Sequence, residues 1–163
     1  MRLEQMFAAL LAMWSIGCAT PTQMRTPLRI TTTAVLTQRA VLTIRGRQFT
    51  LDGYLALSEY YGMRLIVMQS LGQVIADVLV KPDGSAYVMR SAPGLRREWI
   101  ERYMVRDLMC LFANVAGPCH VRTLDGTNFI VQDRGYTLEL RTVETKPGPL
   151  PAQLFDYAGA TSK

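Results

Sequence analysis

Gln48–Ser58, reading QFTLDGYLALS, decides the fold class. Phe49, Leu51, Leu55 and Leu57 fall on one side of an extended chain, and Gln48, Thr50, Asp52 and Ser58 on the other. Successive side chains of a strand point to opposite faces, so this period of two marks a strand with one buried face. The pattern continues on both sides. Val35–Arg45 precedes it; Met63–Gln69 and Gln73–Lys81 follow, joined through Ser70-Leu71-Gly72. Pro82-Asp83-Gly84-Ser85 is a turn, because Pro presets φ and Gly accepts a positive φ, and Ala86–Arg90 is the returning strand. Three further strands are predicted at Cys119–Leu124, Asn128–Gln132 and Tyr136–Val143, connected by Asp125-Gly126 and Arg134-Gly135. The stretch Lys146-Pro147-Gly148-Pro149-Leu150-Pro151 is expected to end the ladder, since proline has no N–H to donate. Residues 152–163 are expected to add an edge strand or to fray.

Between the two groups of strands the period changes. Ala92-Pro93-Gly94 breaks the chain, and Leu95–Ala113 contains neither Gly nor Pro. Trp99, Tyr103 and Cys110 fall near one helical face, with Ile100, Met104, Leu108 and Leu111 beside them and Arg96, Arg97, Glu101 and Arg102 on the polar side. This is an amphipathic helix packed on a sheet. The elements therefore predict a mainly β, α+β domain over residues 35–163: a curved antiparallel sheet or half-open β-barrel with one amphipathic helix on its concave face. One helix covers only part of such a face. The uncovered part would be apolar and could accept a hydrophobic ligand, with Phe49, Leu51, Leu55, Leu57, Trp99 and Tyr103 as candidate lining residues.

The N-terminus reads as an export signal over residues 1–17. Arg2 supplies a positive start, and Met6–Ile16 is an apolar run of about 11 residues, too short for a bilayer span of about 20. It ends in Ser15-Ile16-Gly17-Cys18, which looks like a bacterial lipobox with Cys18 as the lipidated residue, although the family usually has Leu where Ser15 stands; the alternative is a plain secretory signal cleaved nearby, with Cys18 an ordinary residue. The polar, Pro-punctuated sequence after it marks residues 18–34 as the lipidated Cys and a flexible tether. More than one acyl chain on Cys18 would give a stable anchor. Ala19 stands where an Asp resembles an inner-membrane retention signal, so the expected location is the outer membrane, on its periplasmic face.

Composition narrows the function classes. A 49% hydrophobic content over 163 residues supports one packed domain. The net charge of +5 is modest, and its basic residues are scattered apart from Arg96, Arg97, Arg102 and Arg106, so nucleic acid is not an expected partner. His120 is the only histidine, and no Cys/His/Asp spacing supports a triad or a metal site. No catalytic residue, cofactor or metal is expected. With Cys18 lipidated, Cys110 and Cys119 remain. Either they pair across the Gly117-Pro118 loop, as cysteines in an oxidising compartment often do, or Cys110 is a small buried hydrophobe and Cys119 a free thiol. Leu71 sits at a hairpin tip, where polar residues are usual. Either it folds back on its own strands or it projects toward a membrane or cargo.

The order of these elements, with Ser-Leu-Gly-Gln between the strands of the Met63–Val80 hairpin and Arg106-Asp107-Leu108 in the helix, resembles the LolA/LolB-like outer-membrane lipoproteins. It is most similar to a branch associated with aryl-polyene biosynthesis. The resemblance implies a half-open β-barrel whose helix-lined apolar cavity holds acyl chains of a lipid or lipoprotein. It also implies that Leu71 meets the membrane or the cargo. The family usually has Pro before that Leu, where this chain has Ser70. The expected function is a membrane-anchored periplasmic lipoprotein that binds or transfers a lipid or acylated cargo. The alternative is a non-catalytic structural or assembly lipoprotein of the envelope with a filled interior. A continuous apolar cavity above a few hundred Å3 would favour the first.

Overall fold

The computed structural model describes residues 27–69, 71–113, 121–125, 127–133 and 135–157. Residues 1–17, expected to be an export signal, and Cys18, Cys119 and His120 lie outside these residues. Eight strands form one antiparallel sheet: β1 (Ala34–Ile44), β2 (Arg47–Ser58), β3 (Gly62–Gln69), β4 (Val74–Val80), β5 (Ala86–Ser91), β6 (Val121–Thr123), β7 (Asn128–Asp133) and β8 (Tyr136–Pro147). Their spatial order is β5-β4-β3-β2-β1-β8-β7-β6. One helix, α1, joins the two halves. It is α-helical over Arg97–Trp99, π-helical over Ile100–Val105 and α-helical again over Arg106–Phe112. The architecture is the curled antiparallel sheet with one helix that the alternation predicts.

Local chemistry sets the turns. Arg45 and Gly46 both take a positive φ, 49° and 75°, the geometry of a hairpin turn whose twist matches its strands. Asp83 accepts from the Ser85 N–H at 2.9 Å, and Asp125 from those of Thr127 and Asn128 at 3.1 and 2.9 Å. These side-chain acceptors stand in for the backbone partners a tight turn lacks. Between β2 and β3 the Ser58 hydroxyl accepts from the N–H groups of Tyr60 and Tyr61. Gly62 then takes φ 96°, and a Cβ there would lie 2.1 Å from the Val80 carbonyl oxygen.

The core lies between α1 and strands β1–β4. Ala34, Leu36, Leu55, Leu57, Met63, Val78 and Val80 meet Ile100, Val105 and Leu108 of the helix. Two expectations are corrected around this core. The range expected for a flexible tether, residues 18–34, overlaps the folded domain. Leu28 and Ile30 pack against the core, the Leu28 N–H donates to the Pro82 carbonyl, and Ala34 is already fully buried in β1. The ladder also does not stop near Val143. β8 runs on to Pro147 and stays paired with β1 as far as Ala34. There β8 has β1 on one side only, because its register with β7 ends at Arg141, and a proline is tolerated where no partner needs its N–H.

The end of the described chain neither frays nor adds a strand. Ala152–Phe155 is a 3-10 turn laid against the outer side of β3 and β4. Phe155 is buried and stacks on Tyr61, Arg64 donates to the Leu154 carbonyl, and the Lys81 ammonium donates to that of Phe155. Leu79, on the outer side of β4, is also fully buried.

Gly62→Ala should destabilise the protein by about 2 kcal/mol or more, because it adds a backbone clash to an unfavourable φ. Urea denaturation of the two proteins checks this; a midpoint within error of wild type would contradict the close approach.

Candidate functional site

Strand alternation and one residue of the wrong polarity define the site. Along β1 the inward positions are Ala34, Leu36, Gln38, Ala40 and Leu42. Ala34 and Leu36 belong to the closed core, whereas Gln38, Ala40 and Leu42 line a cavity beneath the helix. β2 repeats the division: Leu57 and Leu55 lie in the core, Gly53 stands opposite Gln38, and Leu51 faces the cavity. Leu65 and Val67 of β3 and Leu138 and Leu140 of β8 complete the sheet side; Trp99, Tyr103, Met104, Leu108, Leu111 and Phe112 form the helix side. The volume is about 90 Å3.

A polar cluster fastens the helix to the sheet beside this cavity. Asp107 is 6% exposed, on the same helical face as Tyr103 and Leu111. Arg106 donates to Asp107 at 2.9 Å and to the Tyr136 hydroxyl at 2.9 Å, and pairs with Asp133 at 2.8 Å. The Tyr136 hydroxyl donates in turn to the other oxygen of Asp107. Burial pushes the Asp107 carboxyl above the ordinary carboxylate range, against the hydrogen bonds from Tyr136 and Arg106. Burial and the bond to Asp107 also raise the Tyr136 phenol. Burial alone would lower Arg106, but its bonds to Asp107 and Asp133 raise it further above its usual value. One cation thus serves two carboxylates. Trp99, Tyr103 and Tyr136 pack ring against ring, with centroids 5.4 to 6.2 Å apart, and the Arg106 guanidinium lies 5.6 Å from the centre of the Tyr103 ring.

Of the six expected lining residues, Leu51, Trp99 and Tyr103 are in the cavity wall. Leu55 and Leu57 are corrected to the closed core, where α1 covers β2. Phe49 is corrected to the exposed end of β2, at 42% exposure, beyond the reach of the helix. Leu71 is 98% exposed, so it does not fold back on its hairpin. Gln69 pairs with Leu51, which places the Leu71 tip beyond the same end of the sheet that carries the cavity. Arg106 lies in the buried cluster and Arg97 pairs with Glu101 at 2.8 Å, which divides the basic run of the helix. Cys110 is disulfide-bonded; Cys18 and Cys119 are outside the described residues.

Sequence reading missed Gln38, Asp107 and Tyr136 as site residues. The signal for Gln38 was present as the one polar side chain in the inward series of β1. Asp107 could have been noticed as an acid on an apolar helical face, but nothing local points to its partner Tyr136, about 30 residues on. The π-helical segment, a feature found often at functional sites, also left no mark in the periodicity.

No family model matches the chain, and no curated protein matches it in sequence.

Tyr136→Phe keeps the ring but leaves a buried oxygen of Asp107 without its donor, which costs about 1–3 kcal/mol. Denaturant unfolding of the variant should show that loss. An unchanged stability would mean the hydroxyl contributes nothing to docking the helix.

Proposed function

We propose that the protein is a membrane-anchored periplasmic lipoprotein, similar to the LolA/LolB-like group, that binds or transfers a lipid or acylated cargo at the outer membrane. The anchor is the lipid on Cys18, and the cargo-binding element is the apolar space between α1 and the curled sheet. One observation carries the reading. An almost wholly aliphatic and aromatic cavity lies toward the end of the sheet from which a fully exposed Leu71 projects. An apolar tip and an apolar cavity at one end suit the passage of an acyl chain between a bilayer and the protein. Arg45, Gly46 and Arg47 form the exposed β1–β2 turn at this end, and their charge suits anionic headgroups. Burying one Leu is worth about 1.5–3 kcal/mol, enough to orient the domain on a surface that the lipid has already brought near.

The second reading, a structural or assembly lipoprotein without a ligand, is favoured by the size of the cavity. About 90 Å3 is below the roughly 300–1,000 Å3 of ordinary ligand pockets. On the first reading, then, the cavity takes only part of an acyl chain.

Two experiments separate the readings. Native mass spectrometry of protein purified from membranes should show adducts of lipid mass; a clean apoprotein under conditions that preserve lipid complexes favours the structural reading. Leu71→Glu should leave the melting temperature unchanged, since the Leu71 side chain is exposed, and should weaken liposome binding by about tenfold, the equivalent of part of one buried Leu. Unchanged liposome binding would remove the tip from the mechanism.

A further inference from the structure

Gln38 does not fit an apolar lining. It is 3% exposed, it faces the cavity, and its amide nitrogen has no hydrogen-bond partner among the described residues. Native proteins leave few buried donors unpaired, and each one needs a reason. Gly53 stands directly opposite on β2 and also lines the cavity. An added Cβ there would make ordinary contacts, 3.7 Å from the Gln38 Cβ and 3.8 Å from Leu65, with no φ that excludes a side chain. Neither packing nor backbone demands glycine. Its effect is a notch beside the amide, and a glycine inside a strand often marks close approach of a ligand.

The charges around the notch define what can enter it. The lining includes Asp52 and Asp107 but no Lys, Arg or His. Asp52 is paired with Arg39, and the nearby Arg106 is held by Asp107, Asp133 and Tyr136. A fatty-acid carboxylate would therefore enter an apolar space containing a carboxylate and no free cation, which is unfavourable. A plain hydrocarbon would leave the amide unpaired. An uncharged oxygen satisfies the amide at no cost in charge.

We infer that the cavity selects an acyl chain bearing an uncharged oxygen, an ester carbonyl or a chain hydroxyl, which accepts a hydrogen bond from Gln38 Nε2 in the notch left by Gly53. This rests on the lipid-binding reading above and adds the chemistry of its ligand.

The test uses the full chain and an apolar fluorescent probe displaced by four ligands of equal chain length: a monoacylglycerol, a hydroxy-substituted alkane, the free fatty acid near neutral pH, and the alkane. Wild type should bind the first two about fivefold or more tightly than the last two, the equilibrium equivalent of one hydrogen bond. Which of the first two binds better identifies the source of the oxygen. Gln38→Leu should lose that preference, keep its affinity for the alkane, and melt at a higher temperature, because the unpaired donor is gone. Gly53→Ala should weaken binding of the oxygenated ligands without lowering the melting temperature. Equal wild-type affinities, a preference that survives Gln38→Leu, or a lower melting temperature for Gln38→Leu would overturn the inference and leave lipid binding standing. Failure of the probe and all four ligands to bind would overturn both.

Discussion

An eight-stranded curled sheet has more concave surface than one helix can cover, and the rest of this structure depends on that mismatch. α1 presses Ile100, Val105 and Leu108 against β1–β4 and closes that half of the concavity. On the β8 side it presents rings and the edge of its apolar stripe. The space between is neither filled nor open to water on all sides. A domain with no ligand would gain by filling it, since apolar area removed from water and dispersion contacts both stabilise.

The helix must also be held at one angle across the sheet, and aliphatic contacts do that poorly because they are non-directional. The Arg106–Asp107–Tyr136–Asp133 cluster supplies direction. Asp107 is buried and would be costly without partners, but its oxygens are met by the Tyr136 hydroxyl and the Arg106 guanidinium. Such a cluster adds little net stability over a well-packed apolar equivalent, whereas removing one member is costly. Its consequence is a defined position for Trp99, Tyr103 and Met104, which form the helix side of the cavity.

The outer side of the sheet is treated differently. Leu79 faces outward on β4 and is fully buried, and Arg64 and Lys81 tie the Ala152–Phe155 turn to the sheet through carbonyl groups. Arg64 also pairs with Asp77 through two hydrogen bonds, 3.0 and 2.7 Å. Among the described residues strands β5 and β6 are the edges, and β6 is three residues long with Arg122 exposed. Short, charged edges of this kind resist pairing with other chains. The concave side instead keeps an apolar space between the helix and the sheet.

The sequence alone determined the element order, the strand faces and most turns, because these are local. Alternation in Gln48–Ser58, the Asp-Gly pairs and the unbroken Leu95–Ala113 stretch each follow from the geometry of neighbouring residues, and strand boundaries agree with the structure to within a few residues. It also marked Leu71, whose exposure is a property of a hairpin tip. Only the tertiary structure decided what the inward faces meet. Phe49, Leu51, Leu55 and Leu57 share one periodicity, yet the placement of α1 on the sheet leaves two in the core, one in the cavity wall and one at the exposed end. Pro147 stays in a strand because its outer neighbour has ended, Phe155 is buried and stacked on Tyr61, and Asp107 of the helix finds Tyr136 at the start of β8. Pairings between residues distant in the chain set each of these outcomes, and no local pattern records which surfaces two elements will share.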